Sequence, residues 1–133
     1  MTTKVTYLGE LRTESIHIQS NTNLISDAPT DNQGKGETFS PTDLTANALA
    51  QCMLTIMGIK AQKENWNLIN SQALVTKIMA SSPRRISEIK IEFKMKANGL
   101  DLSQKQSLER VAKACPVAKS LHPDLNIETS FSW

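Results

Sequence analysis

Residues 39–59, FSPTDLTANALAQCMLTIMGI, decide the fold that the sequence predicts. Ser40 and Asp43 have the spacing of a capping box, and Pro41 suits the first helical position. A helix is therefore expected from residue 41 to about residue 65. Beyond the cap, the segment LTANALAQCMLTIMGI is apolar nearly all round and carries no charged side chain. A helix with apolar residues on every side is buried, so this segment is the expected centre of the core.

Three short strands are predicted before this helix. They are TKVTYL, LRTESIHIQS and LIS, at residues 3–8, 11–20 and 24–26. Strands separated by such short turn segments form an antiparallel meander. The segment DAPTDNQGKGET, residues 27–38, is rich in Gly, Asp, Asn and Pro and is predicted to be a loop that leads into the helix.

Two more strands are predicted after the helix, at residues 72–80 and 86–97. In the second of them apolar and charged residues alternate, which indicates a strand with one packed face and one solvated face. The apolar positions are Ile89, Ile91, Phe93 and Met95.

Two short helices and a last strand are predicted in the C-terminal part of the chain. Ser103 and Gln106 have capping-box spacing, so a helix is expected over about 103–114. Pro116 suits the first position of another helix, and NIETSFSW at the C-terminus is typical of a strand. The order βββ–α–ββ–α–α–β defines an α+β fold, in one domain that spans residues 1–133.

The composition narrows the function classes. The net charge is +2 and the basic residues are scattered, so no nucleic-acid partner is expected. The N-terminus has no apolar leader segment, and no stretch approaches the ~18 apolar residues of a membrane span. A cytoplasmic protein without a membrane partner is predicted. In that compartment its two cysteines are free, catalytic or transiently paired rather than a structural disulfide.

The two cysteines, Cys52 and Cys115, are the candidate reactive groups. They are too far apart in sequence for a CxxC motif, and His17 and His122 add no ligand spacing, so no metal is expected. Cys52, in the apolar helix, is interpreted either as a packed core thiol or as a reactive one. Cys115 precedes Pro116 at an N-cap, where backbone N–H groups favour a thiolate, unless the pair only marks a kink.

Three segments resemble the OsmC/Ohr family, and most closely its OsmC-like branch. They are LGELR (8–12), GKGETFSPTDLTANALAQCM (34–53) and ACPVAKSLHPDLNIETSF (114–131), and the order of the elements agrees as well. The resemblance implies an intertwined homodimer with antiparallel sheets around a long buried helix. It also implies thiol-dependent reduction of organic hydroperoxides in oxidative-stress defence, without a cofactor.

The same resemblance assigns roles to the two thiols. Cys52 would be the peroxidatic cysteine that becomes a sulfenic acid, and Cys115 the resolving cysteine that condenses with it to a disulfide. A thiol reductant, either a dithiol or a thioredoxin-like protein, would reopen the disulfide. Leu49 and Met53 of the same helix are the expected apolar contacts of the peroxide.

The family also places an arginine near the first strand turn to activate the cysteine, and Arg12 of LGELR matches it. Characterised hydroperoxide reductases carry a glutamate directly after the helix proline, whereas this chain has Thr42 there and Asp43 one residue later. One residue turns a helix by about 100°, so Asp43 and the loop residue Glu37 are alternative acids for Arg12. The departure leaves open a second reading, a non-catalytic protein that binds a small apolar ligand in the dimer-interface pocket.

Overall fold

The computed structural model describes residues 1–133 and contains six β-strands and three α-helices. The elements are β1 (Thr3–Gly9), β2 (Arg12–His17), β3 (Asn23–Asp27), a 3₁₀ turn (Thr30–Asn32), α1 (Pro41–Lys63), β4 (Gln72–Ala80), β5 (Arg85–Lys94), α2 (Leu102–Lys113), α3 (Pro116–Ser120) and β6 (Asn126–Ser132). The α+β class and the order βββ–α–ββ–α–α–β are therefore confirmed. By its internal contacts the chain divides into two compact units, Met1–Thr45 and Ala46–Trp133.

The first unit holds a three-stranded antiparallel sheet in the order β1–β2–β3. Gly9, Glu10 and Leu11 have positive φ angles of 87°, 51° and 62° and make the tight connection between β1 and β2. Strand β3 runs to Asp27, because its ladder with β2 continues as far as the Arg12–Asp27 pair. Asp27 was predicted to begin the loop, and that prediction is wrong: it is the last residue of a strand.

Helix α1 begins at Pro41, as predicted, behind a capping box of Ser40 and Asp43. The Ser40 N–H donates to Asp43 Oδ2 at 2.9 Å, and the Asp43 N–H donates to Ser40 Oγ at 3.1 Å. These two bonds satisfy backbone donors that would otherwise lack a partner at the start of a helix. The helix ends at Lys63, slightly before the expected end.

The core of the second unit is built on one face of α1. The buried residues of this face are Ala46, Leu49, Ala50, Met53, Met57 and Ala61. Gln51 and Thr55 are exposed, and Ile59 keeps 46% of its surface. Helix α1 is therefore not buried on every side within a single chain, because the other elements of this unit cover only one of its faces.

No helix of the chain combines the length and the apolar character that crossing a membrane requires.

The second unit contains a three-stranded sheet in the order β4–β5–β6. The predicted packed face of β5 is confirmed, since its apolar positions are all buried; they are Ile89, Ile91, Phe93 and Met95. Strands β4 and β5 are antiparallel, whereas β6 pairs parallel to β5. The expectation of wholly antiparallel sheets thus needs correction for this sheet. Helices α2 and α3 form the crossover connection that a parallel neighbour requires.

Helix α2 begins one residue earlier than predicted and has a different cap. Asp101 is the N-cap: it accepts from the Gln104 N–H at 2.8 Å, and the Gln104 side chain accepts from the Asp101 N–H at 2.9 Å. The predicted pair, Ser103 and Gln106, lies inside the helix. Sequence spacing allowed either box, and a carboxylate is a better acceptor than a hydroxyl for the first-turn N–H groups.

Candidate active site

Cys115 occupies the N-cap of α3, as predicted. Its backbone is extended, with φ −64° and ψ 152°, and Pro116 takes the first helical position. The Ala118 N–H donates to Cys115 Sγ at 3.4 Å. The side chain is 0% exposed and belongs to the hydrophobic core of the second unit.

Burial nevertheless raises the pKa of the Cys115 thiol above its ordinary value, and this is the largest influence on it. The N–H groups of Ala118 and Val117 act in the opposite direction, and a hydrogen bond with the Cys52 thiol raises the pKa further. The N–H groups at the start of α3 thus favour the thiolate, as predicted, but the loss of hydration on burial is the larger effect and the net pKa is raised. At neutral pH Cys115 is a protonated thiol.

Cys52 lies in the middle of α1 and is partly exposed. Leu49 and Met53 on the same helix are almost fully buried. Met53 also lines a cavity of about 500 Å³, which includes Ala118 of α3 in its wall. Of the two predicted peroxide contacts, the structure thus places Leu49 in the core and Met53 at the border of core and cavity.

The fold brings the two thiols together, although they are remote in sequence. Both are free cysteines, and the Cys52 thiol is near enough to Cys115 to raise its pKa. The reason is that α1 and the start of α3 pack into the same core. Two neighbouring thiols are the arrangement from which a disulfide can form.

Arg12, the predicted cationic residue, is held by two carboxylates in the first unit. Its Nε and Nη2 donate to Asp27 Oδ1 and Oδ2 at 2.6 and 2.8 Å, and Nη2 also donates to Glu37 Oε2 at 2.7 Å. These bonds, first that of Asp27 and then that of Glu37, raise the pKa of Arg12. The hydrogen bond from Arg12 in turn lowers the pKa of Asp27. The result is a guanidinium fixed between two carboxyl side chains.

The sequence predicted only one of the two acids that bind Arg12. Glu37 was a predicted candidate and does contact Arg12, whereas the other candidate, Asp43, forms the cap of α1 with Ser40. Asp27 was missed, although it is 2% exposed and makes the bidentate bond. The signal that could have found it is the hairpin register: the first residue of β2 lies opposite the last residue of β3.

Two glycines of the GKGE segment place Glu37 beside Arg12. A Cβ at Gly34 would overlap the Ala28 backbone carbonyl, and Gly36 has a φ of 61° in the left-handed region. The Gly36 N–H donates to the Ala28 oxygen at 3.2 Å, and the Glu37 N–H donates to Asp27 Oδ2 at 3.1 Å. The loop is thus folded back on the end of β3; Gly34 is required there because a Cβ would overlap Ala28, and the positive φ of Gly36 favours glycine.

A second cavity of about 510 Å³ lies at the C-terminal half of α1. Its apolar lining is Leu54, Gly58, Ala61, Trp66, Leu68 and Ile69. Neither cysteine lines it. Nowhere in the chain do three His, Cys, Asp or Glu side chains converge in a way that could hold a metal ion.

Comparison with known proteins defines the class first. Residues 34–130 match the OsmC family, described as OsmC-like protein, so the chain belongs to this family, and the predicted OsmC/Ohr resemblance is confirmed. A search of curated proteins found no match.

Several solved structures resemble this chain over nearly its whole length. A Psychrobacter arcticus 273-4 protein, described as a candidate osmotic stress induced and detoxification response protein, is 51% identical. It has a TM-score of 0.95 and the alignment covers 99% of this chain and 96% of that one. Two further neighbours are 18% identical and show the fold alone. One is the organic hydroperoxide resistance protein OsmC of Legionella pneumophila, with a TM-score of 0.72 and coverage of 100% and 98%. The other is OhrB of Bacillus subtilis, an organic hydroperoxide resistance protein, with a TM-score of 0.63 and coverage of 99% and 98%.

Proposed function

We propose that this protein is a thiol-dependent peroxidase that reduces organic hydroperoxides and so serves in defence against oxidative stress. The observation that carries the proposal is that Cys52 packs against the core cluster to which Cys115 belongs and interacts with the Cys115 thiol. Membership of the OsmC family supports it, and so do neighbours of the same fold described as organic hydroperoxide resistance proteins.

The two cysteines take different steps of the reaction. The Cys52 thiolate attacks a peroxide oxygen: an S–O bond forms, the O–O bond breaks, and the alkoxide leaves and takes up a proton to become an alcohol. Cys115 then attacks the Cys52 sulfur, an S–S bond forms, and the hydroxyl group leaves with a proton as water. The difference in burial supports this order, because the peroxide can reach only the thiol that is partly exposed.

Arg12 is proposed as the cationic residue that activates Cys52. The thiolate is the reactive form of a cysteine and a positive charge stabilises it, and Arg12 is a guanidinium already fixed by Asp27 and Glu37. The pair Asp27 and Glu37 would then serve in place of the glutamate that characterised hydroperoxide reductases carry where this chain has Thr42.

We also propose that the protein functions as a homodimer. Val5 and Tyr7, on one face of the first sheet, keep 62% and 64% of their surfaces, and Ile59 of α1 is exposed as well. Apolar groups of this kind are normally covered in an obligate assembly. Sedimentation at micromolar concentration should give twice the 14.7 kDa chain mass, and a folded monomer would contradict the proposal.

The peroxidase proposal is tested by stopped-flow oxidation of the reduced protein with thiol loss as the readout. Tert-butyl hydroperoxide and a fatty-acid hydroperoxide are compared with hydrogen peroxide, and Cys52→Ser is the control for direct oxidation of other groups. Faster reaction with the organic peroxides, lost in Cys52→Ser, is expected. Thiol loss no faster than that of free cysteine would refute the activity.

A second candidate function, binding of a small apolar ligand without catalysis, is favoured by the 510 Å³ cavity beside Trp66. In Trp133→Phe protein Trp66 is the only tryptophan, so its fluorescence reports on the cavity. A saturable change on titration with decanol is expected for a binding protein. Gly58→Leu should abolish that change by filling the cavity, while Gly58→Ala is the matched control because a Cβ there meets no atom within 4 Å. An unsaturable response in all variants would exclude this function.

A further inference from the structure

The two sulfur atoms of the proposed disulfide differ in access. Cys115 is 0% exposed among core residues, whereas Cys52 is partly exposed. Association with a second copy can only reduce exposure, so Cys115 is sheltered in any assembly of this chain. Thiol–disulfide exchange requires the incoming thiolate to reach one particular sulfur, and its rate depends on that access.

We propose that the reductant opens the Cys52–Cys115 disulfide at Cys52, so that the mixed disulfide forms on Cys52 and Cys115 is the leaving group. This inference rests on the proposed function, because it concerns the step that regenerates the enzyme. The reductant thiolate forms an S–S bond to Cys52 Sγ while the Cys52–Cys115 bond breaks and its electron pair stays on Cys115. A second thiol of the reductant then attacks the reductant's own sulfur, which oxidises the reductant to a disulfide and releases the Cys52 thiolate.

The surroundings of Cys115 favour its release as a leaving group and disfavour re-formation of the disulfide. The Ala118 N–H lies 3.4 Å from Sγ at the first turn of α3 and stabilises the thiolate as it departs. Burial opposes that departure, but it also causes the released thiolate to take up a proton, since it raises the pKa of Cys115. A protonated thiol is not a nucleophile, so protonation of Cys115 disfavours reclosure of the disulfide.

Attack of the reductant on Cys115 itself would be sterically blocked. Exchange proceeds in line with the S–S bond, so the nucleophile must approach the attacked sulfur from the side opposite its partner. Cys115 is 0% exposed within the core, and its Sγ accepts the Ala118 N–H, so an incoming thiolate has no solvent-exposed approach to this sulfur. Attack at Cys52 makes Cys115, with its raised pKa, the leaving group, which is unfavourable. The better access of the reductant to Cys52 outweighs this disadvantage.

The test uses wild-type protein and does not depend on peroxidase activity. Diamide forms the intramolecular disulfide, which is verified by mass. Glutathione is added briefly as a monothiol probe, free thiols are blocked with N-ethylmaleimide, and peptides are mapped. Glutathione on the Cys52 peptide with maleimide on the Cys115 peptide is the expected result. The reverse distribution, or an equal one, overturns the inference.

A second measurement compares the single-thiol variants. Cys52 in Cys115→Ser protein should react with 5,5′-dithiobis(2-nitrobenzoate) at least about tenfold faster than Cys115 in Cys52→Ser protein, because access limits the second reaction. Equal rates in two folded variants count against the inference. Failure of diamide to form any disulfide would overturn both this inference and the proposed function. A disulfide that opens at Cys52 in a protein inactive toward peroxides would refute the proposed function alone.

Discussion

Arg12 and Asp27 face each other at the ends of β2 and β3 and are joined by two hydrogen bonds of 2.6 and 2.8 Å. A bidentate guanidinium–carboxylate pair fixes both the position and the plane of the arginine. Asp27 is buried, and its second oxygen also accepts the Glu37 N–H. One carboxylate therefore orients the cation and anchors the loop that carries the second acid.

Replacement of Asp27 by Asn should destabilise the protein in a pH-dependent way. Because Arg12 lowers the pKa of Asp27, the folded state binds the carboxyl proton less readily than the unfolded state. The stabilisation is thus fully present above the unfolded value of about 3.9 and is lost as the pH falls below it. Urea midpoints of wild type and Asp27→Asn should differ clearly at about pH 7 and converge only as the pH falls through the lowered folded-state pKa of Asp27. A constant difference would show that the ion pair is not its cause.

Replacement of Arg12 by Met should lower kcat/KM for tert-butyl hydroperoxide by about a hundredfold, as is typical when one preorganised electrostatic group is removed from an active site. Arg12→Lys should restore part of the activity, since it keeps the charge but not the fork-shaped bidentate bond. Lys35→Met is the matched control, because Lys35 makes an exposed ion pair with Glu10 in the same unit. Equal kcat/KM values for the Arg12→Met and Lys35→Met proteins would show that Arg12 does not take part in the mechanism.

Replacement of Cys115 by Ser should leave one turnover of peroxide and a sulfenic acid on Cys52 that dimedone can trap. The physical reason is that the partly exposed thiol reacts with the peroxide, while the buried one is needed only to form the disulfide. Mass spectrometry after one equivalent of peroxide gives the site of the adduct. Loss of the first turnover in this variant would reverse the roles assigned to the two cysteines.

Disulfide formation after the first turnover should accelerate as the pH rises above neutrality. Burial raises the pKa of Cys115, and only its thiolate attacks the sulfenic acid, so the reactive fraction increases until that pKa is passed. Sequential-mixing kinetics, with oxidation at neutral pH followed by a pH jump, measure this step. A rate that is independent of pH up to about 9, beyond the ordinary cysteine value of about 8.5, would contradict the raised pKa.

Replacement of Asp101 by Ala should cost about 1 kcal/mol of stability, the usual effect of losing an N-cap. The control is Ser103→Ala, which removes the residue that sequence spacing first indicated as the cap and should change stability by less than about 0.5 kcal/mol. The free energies of unfolding of both variants, measured by chemical denaturation, show which of the two possible capping boxes starts α2. A larger loss for Ser103→Ala would mean that the Asp101–Gln104 box does not determine the start of α2.

Local patterns in the sequence were sufficient for most of the fold. The start of α1 at Pro41, the buried face of β5 and the N-cap position of Cys115 depend on neighbours within a few residues, and all three are confirmed. The family could also be predicted, because the segments that resemble it lie in sequence and the family match extends over residues 34–130. The cap of α2 was misplaced because two boxes of equal spacing overlap there.

Only the tertiary structure decided the properties that depend on distant neighbours. The pairing of Arg12 with Asp27 follows from strand register, and no pattern around residue 27 distinguishes a strand end from the start of a loop. The protonated state of Cys115 follows from its burial in the core, which overrides the local helix N-terminus that the sequence displays. The interaction between Cys52 and Cys115 depends on both residues joining the same packed cluster. Desolvation and long-range pairing are properties of the assembled core, and no single segment of the chain carries them.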